Sequence, residues 1–211
     1  MTSNTGDDAC AIVVSQIERA LCDRERVLVA IAGPPATGKS TFADQLCLLL
    51  ESGGIKSAVA PMDGFHLDNQ VLDGLGLRLS KGAPETFDAH GFISLVERLG
   101  HPKSSVYLPI FDRERDLAIA GARHVGPEVK AVIFEGNYLL YDQDPWRGLA
   151  PLWDLSIWLD TPEQVLCQRS VSRWLNMGKS LQVAQARANG NDLVNARKVI
   201  SARLPSDITI G

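Results

Sequence analysis

Positive charge is in short supply: 21 lysines and arginines stand against 25 aspartates and glutamates in 211 residues, a formal net charge of -4. Such a chain lacks the broad cationic field that binding along a phosphate backbone requires, which argues against nucleic acid as a partner. Cysteine is scarce and scattered. Cys10, Cys22, Cys47 and Cys167 form no CxxC pair, so neither a zinc cluster nor a disulfide framework is expected, and the four read as buried small apolar residues in a reducing cytosol. No apolar run approaches the roughly 18 residues of a membrane span. Residues 1–8 are polar and acidic where a secretory leader would be basic and then apolar, so a cytoplasmic protein without a membrane partner is expected. There is also no NKxD tetrapeptide, the guanine-reading element of a GTPase. Residues 73–76 fit DxxG, but they lie in a glycine-rich stretch rather than at the end of an apolar strand.

What is present is an ordinary globular balance of 45% hydrophobic and 22% charged residues, with length enough to close one core, so a single domain over residues 1–211 is expected. Ile12, Val13, Ile17, Ala20 and Leu21 recur at helical spacing, predicting an amphipathic helix over residues 9–21. The run VLVAIA at residues 27–32 is wholly apolar, bounded by charge on one side and glycine on the other. It predicts a strand buried on both faces, and such strands belong to parallel sheets. The alternation continues with a helix over 39–51, a strand over 57–61, a helix over 89–99, strands over 106–110, 131–135 and 155–160, and helices over 162–176 and 180–200. Pro162 suits a first helical turn, with Thr161 as its N-cap. Together these imply an α/β fold with a doubly wound, mostly parallel sheet, whose ligand crevice lies beyond the carboxyl ends of the strands. Residues 64–87 interrupt the pattern as a long polar loop carrying His66, Asp68, Asn69, Lys81 and Glu85, more typical of a substrate-binding excursion than of filler.

Residues Gly33-Pro34-Pro35-Ala36-Thr37-Gly38-Lys39-Ser40-Thr41 satisfy GxxxxGK[ST] in full. Glycines let the backbone turn its N–H groups toward phosphate oxygens, Lys39 offsets the charge of the β and γ phosphates, and the Ser40 hydroxyl is placed to ligate Mg2+. The segment follows a buried-strand pattern and opens a helix, as the motif demands, and the helix adds its positive N-terminus. ATP and Mg2+ are therefore expected, held by this whole loop.

The same loop serves GTPases, motor ATPases and several kinds of kinase, so other residues must choose the reaction. The run Ala60-Pro61-Met62-Asp63-Gly64-Phe65-His66 puts Asp63 at the carboxyl end of the second strand. There it could accept the proton of an attacking hydroxyl, or simply serve as a turn aspartate before glycine.

The phosphate loop, then Met62-Asp63-Gly64-Phe65-His66-Leu67-Asp68-Asn69, then Lys81-Gly82-Ala83-Pro84-Glu85-Thr86-Phe87-Asp88, then Phe134-Glu135-Gly136, resemble the superfamily of uridine kinase, phosphoribulokinase and pantothenate kinase over nearly the whole chain. Residues 63–88 are most like bacterial pantothenate kinase, although this chain is much shorter. In size it is more similar to a compact bacterial group that carries the name fructose transport system kinase. The resemblance implies a P-loop NTPase fold of nucleoside-kinase type with a helical lid over about 162–196, and Asp63 as the catalytic base. It implies too that Glu135 stands in the place of a Walker B carboxylate, holding Mg2+ directly or through water, with a cap before Gly136 as the alternative. Pro109-Ile110-Phe111-Asp112-Arg113, with Asp116 after it, resembles the stretch that borders the family's acceptor pocket. Arg113 then either positions substrate or sits in a surface ion pair.

Arg169 and Arg173 share one helix face at an i, i+4 interval, which by itself describes a solvated surface. The resemblance implies that Arg173 belongs to the lid and offsets charge on the transferring group. Asn189-Gly190-Asn191-Asp192-Leu193-Val194-Asn195-Ala196-Arg197 also resembles a family segment, with no role assigned. The expected acceptor side comprises Asp63, Phe65, His66, Lys81, Phe87, Arg113 and Glu135, with Phe111 and Tyr138 as further aromatic candidates and His66 or His90 as hydrogen-bonding ones. The expected activity is phosphoryl transfer from Mg-ATP to a hydroxyl of a small metabolite: a sugar such as fructose, a nucleoside or a pantothenate-like acid. A nucleoside monophosphate kinase and an ATPase switch without a small-molecule acceptor are the rivals; the first is disfavoured because only Arg78 and Lys81 fall between Asp63 and Asp88. A homodimer is compatible with the sequence, which does not report oligomeric state.

Overall fold

The structure, a computed structural model, describes residues 5–211; the first four positions of the polar N-terminal segment lie outside the described residues. In chain order the first half holds α1 (Thr5–Ala20), β1 (Val27–Ala32), α2 (Lys39–Ser52), β2 (Ser57–Pro61), α3 (Asn69–Gly74) and α4 (Ala89–Gly100). The second half holds β3 (Val106–Asp112), β4 (Leu117–Val125), β5 (Ala131–Gly136), β6 (Leu155–Leu159), α5 (Glu163–Asn176), α6 (Leu181–Arg187), α7 (Leu193–Ser201) and β7 (Ile208–Ile210).

Five strands form the central sheet in the order β2-β5-β1-β6-β7, every neighbouring pair parallel. The period of two in side-chain direction explains the apolar runs. From β1, Leu28, Ala30 and Ala32 enter the layer that holds Phe92 of α4 and Trp146, while Val27, Val29 and Ile31 enter the layer that holds α1 and α2. A strand covered on both faces needs apolar residues at every position. The order β2-β5-β1 then sets three strand ends side by side at the carboxyl edge. β1 runs into the phosphate loop, β2 into Asp63, and Glu135 lies near the end of β5.

Several sequence expectations are corrected. The strand expected over 106–110 does not join the parallel sheet: β3 pairs antiparallel with β4, a strand the apolar pattern did not announce because its residues are largely solvent-facing. The helix expected over 180–200 is two helices joined by a π-turn at Ala188–Asp192, where glycine, two asparagines and an aspartate form helix poorly. Thr161 does not cap α5. Pro162 holds that position with an extended ψ of 139° and no side-chain cap. The stretch 64–87 is not an open loop but carries α3 and 3-10 turns at Met62–Phe65, Arg78–Ser80 and Pro84–Thr86. Of the cysteines only Cys10 is buried, Cys22 being exposed and the other two half-buried. Helices α5 and α7 pack through Leu166, Leu193 and Ala196 as a separate small cluster in the expected lid region.

Candidate active site

The phosphate loop is held open by its neighbours. A Cβ on Gly33 would lie 2.8 Å from the Leu159 carbonyl oxygen of β6, so only glycine lets the loop leave the sheet there. Gly38 has φ 97°, a conformation glycine adopts without strain, and a Cβ added to it would meet nothing within 4 Å. Open space therefore faces the start of α2, whose first internal bond is from Phe42 N–H to the Gly38 carbonyl at 2.9 Å. The amides before it have no helical partner and suit an anion. Ala36 also turns with positive φ, 67°.

Lys39 lies in this mouth, 7% exposed. Its Nζ donates to the Pro34 carbonyl and to Asn137 Oδ1, both at 2.8 Å. Burial lowers its pKa to about 8 against the opposing pull of Glu135 and Asp63. A buried ammonium whose own protein partners are one carbonyl and one amide oxygen fits a group that awaits a polyanion. The Thr37 hydroxyl, also buried, has no partner among the described residues.

Two close approaches set the carboxylates. Gly64 comes so near β3 that a Cβ would sit 2.4 Å from the Pro109 carbonyl oxygen. At Gly136 a Cβ would sit 2.6 Å from Met62 Cβ. Each glycine directly follows its acid, so the turn carrying Asp63 and the strand end carrying Glu135 are drawn together. Glu135 is 7% exposed. Burial, then the charge of Asp63, raises its pKa to about 7, opposed by Lys39 and by a hydrogen bond with the Ser40 side chain. The oxygens of Ser40 and Glu135 are hard donors side by side, and among the described residues no group of three His, Cys, Asp or Glu side chains could hold a metal. Such a pair fits Mg2+, which takes few protein ligands and shares phosphate oxygens.

Asp63 is partly open and binds Arg113 Nη2 at 2.5 Å. His66 Nε2 lies 3.9 Å from its other oxygen. Burial lowers the His66 pKa to about 4, so the ring is neutral near pH 7, stacked on Phe87 at 4.0 Å with Phe111 at 4.7 Å. Phe65 meets Phe92 edge-on, and Phe87 touches Tyr138 and Trp146. Tyr138 is fully buried and donates its hydroxyl to the Gly82 carbonyl at 2.6 Å, which makes it a support of the 81–88 segment. Lys81 does not meet Asp63. Its Nζ donates to Asp116 Oδ1 and Asn69 Oδ1, both at 2.7 Å, and lies 5.0 Å from the Phe111 ring centroid.

Arg169 and Arg173 project from α5 toward different partners. Arg169 donates to the Thr37 carbonyl at 3.1 Å, whereas Arg173 pairs with Asp192 at 2.9 Å. Trp174 Nε1 donates to the same carboxylate at 2.8 Å. In the π-turn the preceding residue, Asn191, donates to the Lys81 carbonyl at 2.9 Å and accepts from Asn195 at 3.1 Å. Sequence reasoning left 189–197 without a role and passed over Asn137. The available signal was compositional: asparagines interrupting a helix, and an amide two residues after Glu135.

The family model described as Phosphoribulokinase / Uridine kinase family matches residues 28–189. The solved structure of a Silicibacter sp. TM1040 protein, provisionally named a fructose transport system kinase, is 49% identical and superposes with a TM-score of 0.90, covering 95% of this chain and 98% of that one. The uncharacterized protein YggC of Escherichia coli (strain K12) is 37% identical over 180 residues, 84% of this chain and 74% of that protein. A provisionally named uridine kinase of Schizosaccharomyces pombe is 32% identical over 200 residues, 89% of this chain and 83% of that protein. Sheet order, phosphate loop and these likenesses agree, and the chain belongs to the phosphoribulokinase and uridine kinase family of P-loop kinases.

Proposed function

We propose that this kinase transfers the γ-phosphoryl group of ATP to a hydroxyl of a small metabolite, with Asp63 as the base. The observation that carries this is the convergence beside the phosphate loop of the buried Lys39 and Glu135 with the partly open Asp63, whose charge acts on the ionisation of both. The loop from Gly33 to Thr41 holds the triphosphate. Asp63 takes the hydroxyl proton as the oxygen bonds to phosphorus, and the β,γ bridging oxygen leaves with its electron pair as ADP. Ser40 and Glu135 would hold Mg2+, which supplies neutralisation of phosphate charge when bound. Arg173, from the lid side, would offset charge on the transferring group after leaving Asp192. Positioning and electrostatics dominate such transfer.

Sugars such as fructose, nucleosides and pantothenate-like acids are the acceptor classes. A monophosphate acceptor finds little in the 63–88 segment, because Lys81 is bonded to Asp116 and Arg78 is shared between Asp73 and Asp116. The test is Asp63→Asn, which should cut turnover by about 10²–10⁴-fold while leaving ATP affinity near wild type. Full turnover in that variant on the true acceptor would remove Asp63 from the reaction.

No helix among the described residues is long and apolar enough to cross a membrane. The single domain is proposed to span the chain.

A further inference from the structure

Lys39 is a buried cation that stands among acids and is bonded to none of them. Its ammonium has three N–H groups to give. One goes to the Pro34 carbonyl and one to Asn137 Oδ1, both at 2.8 Å, and among the described residues none goes to a carboxylate. Glu135 and Asp63 act on it through space, Glu135 the more strongly. The bond that Glu135 makes is with the Ser40 side chain. The third N–H is left for a phosphate oxygen.

The two acceptors differ in what they fix. Pro34 belongs to the same loop as Lys39, so that tie moves with the loop. Asn137 comes from the turn after β5, 98 positions along the chain. Its neighbours on both sides are held: Gly136 packs against Met62, and Tyr138 is fully buried with its hydroxyl on the Gly82 carbonyl. Asn137 is therefore the fixed point that sets where the ammonium lies relative to the acids.

Its neutrality matters as much as its place. A buried ammonium must find acceptors. An amide oxygen supplies one without cancelling the charge, whereas a carboxylate would pair with the cation and leave less attraction for phosphate. Without Asn137 the ammonium is one acceptor short, and Glu135 is the acid that pulls on it most. A Lys39–Glu135 pair would draw the cation from the phosphate and the carboxylate from Ser40 together. We propose that Asn137 is a positioning residue for phosphoryl transfer, holding the Lys39 ammonium toward the nucleotide and away from Glu135 with an oxygen that carries no net charge. The inference rests on the kinase function proposed above and adds to it a residue that acts through Lys39.

The experiment is calorimetry with the non-hydrolysable analogue AMP-PNP in EDTA, so that neither turnover nor metal enters. Asn137 is half-buried and accepts a single bond, so its variants should fold, and thermal melting checks this. Asn137→Ala should weaken AMP-PNP binding by about 10-fold, the worth of one hydrogen bond to a charged group. Asn137→Asp keeps the size and the accepting oxygen, so a purely structural role predicts wild-type affinity. The added charge should instead weaken binding by about 100-fold, more than the loss of the side chain does. In a Glu135→Gln background, where the competing acid is gone, Asn137→Ala should cost less than about threefold. Affinity of Asn137→Asp close to wild type, an undiminished affinity in Asn137→Ala, or a loss in Asn137→Ala of the same size in both backgrounds would each overturn the inference and leave the kinase function standing. Failure of the wild-type protein to bind AMP-PNP even with Mg2+ would instead remove the kinase function on which it rests.

Discussion

The two sides of the proposed transfer site are built by different means. The phosphate side comes from nine consecutive residues, 33–41, and most of its polar groups are main-chain amides at the start of α2. The proposed acceptor side draws on four separated places: the turn after β2, the 66–88 segment, the hairpin tip at 112–116 and the π-turn at 188–192. A site made of backbone is specified by conformation, so a few glycines and a lysine announce it. A site made of side chains is specified by which elements the fold brings together, and no single stretch of sequence carries it.

The sharpest test of that contrast is Lys39→Met. If the amides alone define the phosphate side, losing one ammonium should be tolerated. Lys39 is instead the buried charge that faces both Glu135 and Asp63. Its removal should lower kcat/KM for ATP by about 10³-fold, the scale on which oriented electrostatic groups act in a water-poor site. A loss below 10-fold in steady-state ADP release would show that the backbone suffices.

The same contrast explains what could be read from the sequence. The buried strands 27–32 and 131–135, the phosphate loop and the acids at the strand ends follow from apolar runs ending in glycine or charge, a local pattern tied to a local cause. The hairpin partner at 117–125 escaped because most of its side chains face water, which removes the apolar signal. Arg113 was legible as a candidate, but whether it met substrate or an ion pair depended on the approach of β3 to the turn after β2. That approach is permitted by a single missing Cβ at Gly64. The π-turn was hidden for a related reason: its aspartate and asparagine are fixed by partners at Arg173, Trp174 and Lys81, none of them neighbours in sequence.

A second test lies where the two sides meet. Burial raises Glu135 to about 7, against an ordinary value of 4.5. The folded protein therefore holds a proton below pH 7 that a metal would have to displace. Mg2+ affinity in the presence of nucleotide should fall by about tenfold per pH unit as pH drops below that point, and should level off above it. Calorimetry at pH 6 in buffers of different ionisation enthalpy should register close to one proton released per metal, and close to none at pH 8.5. Affinity independent of pH from 6 to 8.5 would take Glu135 out of the metal site. Because Ser40 belongs to the phosphate side, that result would also separate the two sides more cleanly than the structure suggests.

The smallest expected effect concerns the most distant piece of the acceptor side. Asn191 reaches from the lid to the Lys81 carbonyl at 2.9 Å and is itself steadied by Asn195 at 3.1 Å. Asn191→Ala removes both bonds, each worth about 1 kcal/mol, from the segment proposed to shape the acceptor pocket. The KM for acceptor should rise by about 5- to 30-fold while ATP affinity stays unchanged. Asn191→Asp is the more informative change. It keeps the size of the side chain and can still accept from Asn195, but it has no N–H to give the Lys81 carbonyl and sets a negative charge against it. If the hydrogen bond to Lys81 matters, Asn191→Asp should be as impaired as Asn191→Ala or worse. Wild-type acceptor kinetics in the aspartate variant would mean that the lid and the acceptor segment merely touch, and the acceptor side would shrink to the three places nearer Asp63.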